Sequence, residues 1–278
     1  MPPLVVDQLR KRYGPTAAVD GLSFAVPEGS VCGFLGPNGA GKTTTLRILL
    51  GLTAADEGSA TATGRVAGVL DRDGFHPGRA AYDELALAAA RAGRGDPDEA
   101  LERAGLTAIA DRRIGACSFG MRRRLAVAAA LLKEPDVLLL DEPATGLDPH
   151  ALRALRTQLR EVAARGGTVL LSSHVLDEVA ATCDRVIVVD KGREVAEGPL
   201  DELLAQRIRL RSPEAPRLLE ALQARGLDAA PDGTHTLIVT GADPDTVGRV
   251  VRDSGAVLHE MSTQGALEAL YVGLTEAS

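Results

Sequence analysis

Four short runs do most to limit how this chain can fold: SVCGFLG (30–36), DVLLLDEP (136–143), TVLLSSH (168–174) and DRVIVVD (184–190). Each holds about four consecutive apolar residues with little two-residue alternation, the pattern of parallel strands covered on both faces. The segments between them are amphipathic. In ALRALRTQLREVAA (151–164), Leu152, Leu155, Leu159 and Val162 recur at helical spacing with charges opposite. Strands of this kind alternating with such helices predict an α/β domain, with ligands bound beyond the carboxyl ends of the strands.

Two regions depart from that pattern. Residues 83–105 are rich in Ala, Leu and Glu, with a helix-start signal at DPDEA (96–100), and read as helix inserted between core strands. Near residue 206 the composition changes. RIRLR, PRLLEALQARG, HTLIVTG, DPDTVGRVVRDSG, AVLHEM and GALEALYVGL then read as strand, helix, strand, helix, strand, helix. The 278 residues accommodate one large domain and a small appendage. The predicted division is 1–206, with the helical insert at about 74–134, and 207–278 as a small α+β domain.

Charge and cysteine content narrow the function. A formal charge of -7 gives a field that repels nucleic acid and anionic lipid, so any phosphate chemistry must be local. Cys32, Cys117 and Cys183 are scattered and form no CxxC pair, which argues against a disulfide framework or a thiolate metal site and points to the reducing cytosol. The first residues show no basic start followed by an apolar core. The apolar stretch LAVAAALL (125–132) is far shorter than the roughly 18 residues of a membrane span, so work at a membrane would need another chain. His76, His150, His235 and His259 share no metal-ligand spacing.

The first buried run leads into GPNGAGKTTT. Gly36, Pro37, Asn38, Gly39, Ala40, Gly41, Lys42 and Thr43 match GxxxxGK[ST] in the strand, loop, helix context that the motif requires, and Thr44 follows. Such a loop wraps backbone N–H groups around phosphate oxygens, which needs glycine, and the helix N-terminus adds partial positive charge. Lys42 is expected to reach the β- and γ-phosphates and Thr43 to ligate Mg²⁺. Asp141 and Glu142 end the second run. Two acids there also suit a strand end meeting solvent, but the phosphate loop favours Asp141 as a metal ligand and Glu142 as the general base for an attacking water. His174 closes the third run and falls at the same sheet edge. In CSFGMRRRL (117–125) the three arginines spread over about 200° of a helix and make no single basic stripe. Arg122 and Arg123 would oppose the helix dipole, which suits a nearby anion, while a solvated face also accounts for at least one arginine.

The phosphate loop, CSFGM, VLLLDEP, TGLDP and a histidine about thirty residues later, in this order, resemble the ATPase subunit of an ATP-binding-cassette transporter over about residues 4–202. The resemblance implies a P-loop NTPase cassette with a parallel sheet, a β-subdomain and a helical insert. It implies ATP and Mg²⁺ as ligands, Tyr13 stacking on adenine, Glu142 as catalytic base and His174 as switch histidine. It further implies that Ser118, Phe119, Gly120 and Met121 form a signature facing the γ-phosphate of a second copy, and that Asp148 reaches across the same interface. Three departures stand out. GVLDRDGFHPGR (68–79) has no Gln where the family usually places a metal-touching one, and Asp71 is the closest match. Phe119 occupies a position where Gly is common, and the segment between Gly58 and Gly68 is shorter than the family's usual hairpin.

SFGM, EPATGLDP, CDRVIVVDKGREVAEG and the closing LEALYVGLT are similar to bacterial drug- and antibiotic-export ATPases that pair with a separately encoded permease. This resemblance implies a homodimer around two ATP, peripheral on the cytoplasmic face of the membrane, powering export of drug, antibiotic or lipid-like cargo with no nucleic-acid partner. The competing readings are a soluble cassette ATPase acting on ribosomes or DNA, and a nucleotide binder without turnover. The first usually needs two cassettes or a long coiled-coil insert, and neither is present.

Overall fold

The computed structural model describes residues 2–70, 74–204 and 206–265, and the chain divides into two compact units at Gly198/Pro199. The first unit begins with β1 (Leu4–Tyr13) and β2 (Thr16–Val26), followed by β3 (Val31–Leu35) and α1 (Lys42–Leu49). Next come β4 (Glu57–Ala62) and β5 (Val66–Val69), then the insert helices α2 (Ala81–Ala92), α3 (Pro97–Arg103) and α4 (Phe119–Leu131). The chain continues through β6 (Val137–Asp141), α5 (Pro149–Ala164), β7 (Thr168–Ser173), α6 (Leu176–Thr182), β8 (Arg185–Asp190) and β9 (Arg193–Pro199).

The four apolar runs became β3, β6, β7 and β8, and every residue of β3, β6 and β7 is buried. They lie in a six-stranded sheet of order β5-β6-β7-β3-β8-β9, with parallel pairing from β5 through β8. The N-terminal residues form a separate antiparallel sheet of order β2-β1-β4. The two sheets share one core, in which Phe24 of β2 meets Phe34 of β3 with ring centroids 5.3 Å apart. Full burial of Phe34 contributes about 1.5–3 kcal/mol. Residues 57–69 make no hairpin, because β4 pairs with β1 whereas β5 pairs with β6.

The insert has its own core of Leu85, Leu101, Leu106, Ile114, Leu125 and neighbours. The expected helix start at DPDEA is α3, whose cap Asp96 accepts a hydrogen bond from the Asp98 N–H at 2.8 Å.

The second unit holds α7 (Leu200–Leu204), β10 (Gln206–Arg211), α8 (Ala215–Gln223), β11 (Asp228–Pro231), β12 (Thr236–Thr240), α9 (Pro244–Ser254) and β13 (Glu260–Gly265). From β10 onward this is a βαββαβ chain in an antiparallel sheet of order β11-β12-β10-β13, a ferredoxin-like arrangement. Leu218 and Leu222 of α8 and Val247 and Val250 of α9 share a core with Ile208, Leu210 and Val239. Three details differ from the sequence reading. The division falls eight residues before 206/207, so α7 goes with the second unit. β11 was not anticipated, because DAAP lacks strand-forming residues and is held by pairing with β12. The last strand begins at Glu260 rather than within AVLHEM from Ala256, because its pairing partner Arg211 meets Glu260. The final expected helix lies outside the described residues.

Candidate active site

The phosphate loop closes tightly on its surroundings. A Cβ on Gly36 would stand 2.3 Å from the Val189 carbonyl oxygen, and one on Gly41 would stand 2.3 Å from the Ala18 carbonyl oxygen. Gly41 also has φ 100°, a left-handed conformation that only glycine adopts cheaply. Ala18 reaches the loop because β2 carries an extra residue there: Lys11 pairs with Val19 but Arg12 with Ala17, so Ala18 bulges out of the ladder.

Lys42 opens α1 with only 6% of its surface exposed. Its Nζ donates to the carbonyls of Gly36 at 2.6 Å and Pro37 at 3.1 Å, and lies 3.9 Å from Glu142 Oε1. Burial presses the ammonium below its ordinary pKa, and the carboxylates of Glu142 and Asp141 oppose that.

At the tip of β6, Asp141 is buried and both its oxygens are engaged. Thr43 Oγ1 donates to Oδ2 at 2.8 Å, and Ser172 Oγ donates to Oδ1 at 2.5 Å. Ser172 also accepts the Glu142 N–H at 3.0 Å, so one hydroxyl joins both acids. Sequence reasoning missed Ser172. Its signal is the register between neighbouring strands, which sets Ser172 opposite Asp141. Glu142 has φ 49°, unusual for a residue with a side chain and a known mark of functional sites. Its Oε2 lies 2.9 Å from His174 Nδ1, just beyond the end of β7.

Loop, lysine, hydroxyl, two acids and histidine thus meet at the carboxyl edge of β3, β6 and β7. Gly36 and Gly41 leave no room for side chains where the loop lies against the Val189 and Ala18 carbonyls. Thr43 Oγ1 and Asp141 supply paired oxygen donors of the kind a hard dication uses together with substrate phosphates. Among the described residues no group of three or more His, Cys, Asp or Glu could hold a metal ion.

The remaining expected residues lie elsewhere. Tyr13 is half exposed at the β1–β2 tip, where it pairs with Thr16. Ser118 caps α4, its Oγ accepting the Met121 N–H at 3.3 Å. Gly120 is needed because a Cβ there would come within 2.7 Å of the Gly146 carbonyl oxygen, and the exposed Phe119 packs its ring against Gly146. Asp148 caps α5, accepting the N–H groups of His150 at 2.9 Å and Ala151 at 2.8 Å, which hold its pKa below the usual carboxylate range. Two arginines of α4 are tied to backbone: Arg123 Nη1 donates to the Leu70 carbonyl at 2.8 Å, and Arg124 Nη1 donates to those of Ala104 and Gly105 within the insert. Asp71 lies outside the described residues.

Fold and site together define a P-loop NTPase of the cassette type. The profile of the family described as ABC transporter matches residues 19–145, and that of a domain of unknown function matches residues 206–268. The chain is 43% identical to Nod factor export ATP-binding protein I of Ralstonia nicotianae over 74% of this chain and 70% of that protein. It is 36% identical to the protein of the same name from Burkholderia thailandensis over 98% and 97% of the two. The crystal structure of an ATP-binding cassette of an ABC transporter in its ADP conformation aligns at TM-score 0.62 and 25% identity, covering 73% of this chain and 92% of that one. The chain belongs to the ABC transporter ATP-binding family and is an ATPase subunit of that kind.

Proposed function

We propose that two copies of this chain assemble head to tail around two ATP molecules and power a separately encoded membrane permease. The named relatives support an export role, and we assign the cargo to the drug, antibiotic or lipid-like class. We place the chain as a peripheral subunit on the cytoplasmic face; among the described residues no helix is long and apolar enough to cross a membrane.

The observation that carries the reading is Glu142. Its carboxylate lies between His174 Nδ1 and Lys42 Nζ, one residue beyond the Asp141–Thr43 pair. In this reading the loop N–H groups and Lys42 bind the β- and γ-phosphates. Two of the three Lys42 protons are fixed by the loop's own carbonyls, which leaves one for a phosphate oxygen. Mg²⁺, held through Thr43 and Asp141, would neutralise charge on those phosphates. Glu142 takes the proton of the attacking water, and His174 holds the carboxylate in place. Tyr13 stacks on the base. The Ser118 hydroxyl and the α4 N-terminus are directed at the γ-phosphate held by the second copy, and Asp148 meets that copy at the same interface.

Glu142→Gln tests this. The variant should keep ATP affinity, lose about 10²- to 10⁴-fold in hydrolysis, and accumulate as an ATP-dependent dimer on size exclusion with light scattering. A variant that stays monomeric with ATP and hydrolyses at the normal rate would sink the composite site.

A further inference from the structure

Tyr13 is not a free-standing ring. Lys11, two residues earlier on β1, brings its Nζ to 5.6 Å from the Tyr13 ring centroid, within the range of a cation–π contact. That lysine is itself held. Its Nζ lies 2.7 Å from Asp56 Oδ1, and its side chain is only 14% exposed. Asp56 is fixed in turn: Oδ2 accepts the Arg12 N–H at 2.7 Å, and the Asp56 N–H donates to the Arg10 carbonyl at 3.0 Å. The turn beyond Tyr13 is tied by Arg12 Nη2, which donates to the Pro15 carbonyl at 2.8 Å. These bonds immobilise the tip of the same hairpin that presses the Ala18 carbonyl against the phosphate loop.

We propose that Lys11 and Asp56 form a positioning clamp for the nucleobase platform, with the ammonium covering one face of Tyr13 and the other face presented to adenine. The clamp rests on the reading of Tyr13 as the adenine-stacking residue and adds to it two side chains that never touch the nucleotide. Lys11 acts by its charge on the ring. Asp56 acts by keeping that charge there: without the carboxylate, a lysine ammonium leaves for water. The ring is then ordered before the base arrives, and ordering it costs no binding energy. Because the phosphates are gripped by separate groups, the clamp affects only the part of the affinity that comes from the base.

The test uses the full chain and two ligands that share the phosphate grip, ADP and inorganic pyrophosphate, measured by calorimetry. Lys11→Met and Asp56→Asn should each weaken ADP about two- to five-fold and leave pyrophosphate unchanged, and Lys11→Arg should restore ADP binding. The chain has no Trp, so a Tyr13→Trp background adds an optical readout. ADP should quench its emission, and Lys11→Met in that background should reduce the quench at saturation. Unchanged ADP affinity in Lys11→Met, with Tyr13→Ala still weakening ADP, overturns the clamp and leaves the platform standing. Equal weakening of ADP and pyrophosphate overturns it too, by showing a general structural role. If Tyr13→Ala leaves ADP affinity intact, the stacking reading fails and the clamp falls with it.

Discussion

Replacing Ser172 by Ala removes one oxygen and disturbs both acids of the site. The hydroxyl is fully buried, donates to Asp141 Oδ1 at 2.5 Å and accepts the Glu142 N–H at 3.0 Å. A hydrogen bond to a charged group contributes about 1.5–3 kcal/mol, and a buried donor left unpaired costs about 1–3 kcal/mol. The two losses together come to roughly 2.5–6 kcal/mol. For a folded unit of about 200 residues each kcal/mol lowers Tm by about 2–4 °C, so the fall should be on the order of 10 °C in a calorimetric melt. Catalysis should fall as well, because the Glu142 N–H anchors a residue at φ 49° and its release misplaces the carboxylate. A displacement of about 1 Å can cost on the order of 10²-fold in kcat. ATP affinity should change far less, since Lys42 and the loop are untouched. A Ser172→Ala protein that melts within about 2 °C of the parent and turns over within about twofold of it would refute the bridge; both thresholds lie well below the predicted effects.

Three further outcomes follow from the loop and from the buried thiols. Gly41→Ala should abolish nucleotide binding in a filter or calorimetric assay, since its Cβ would meet the Ala18 carbonyl oxygen at 2.3 Å in a conformation with φ 100°; retained affinity would mean the loop can reshape. Burial pushes the Cys183 thiol up to about 12 and Cys32 well above its ordinary value, so neither should react with a disulfide reagent at pH 8 until the protein unfolds. As pH climbs from the ordinary thiol pKa of about 8.5, the unfolded chain releases a proton that folded Cys183 retains, so its contribution to stability is full below that value and is lost on the way to about 12. Denaturant midpoints measured across that alkaline interval would show whether the loss occurs.

The parallel strands could be read from sequence because burial on both faces leaves an unbroken apolar run, as in Val137–Asp141 and Thr168–Ser173. Gly36 to Thr43 were readable because Gly39 and Gly41 take a left-handed backbone and Gly36 and Gly41 have no room for a Cβ, which fixes glycine at set spacings before Lys42 and Thr43. What stayed hidden depends on register. Ser172 is an ordinary serine until β6 and β7 pair and set it opposite Asp141. Asp56 lies 45 positions from Lys11, and only the β1–β4 pairing brings them together. Asp228–Pro231 has no strand propensity of its own and is a strand because β12 offers it a ladder. Two arginines of α4, Arg123 and Arg124, serve carbonyls in their own unit, a use that charge patterning along a sequence does not reveal.

The left-handed backbone at Glu142 sets stability against activity. Glycine accepts φ 49° without strain, and asparagine accepts it more readily than glutamate. A library selected only for survival on heating should therefore enrich Glu142→Gly and Glu142→Asn early, and each of those winners would lack the carboxylate beside His174. An engineer wanting a hardier version of this ATPase would have to hold position 142 fixed or select on turnover together with heat.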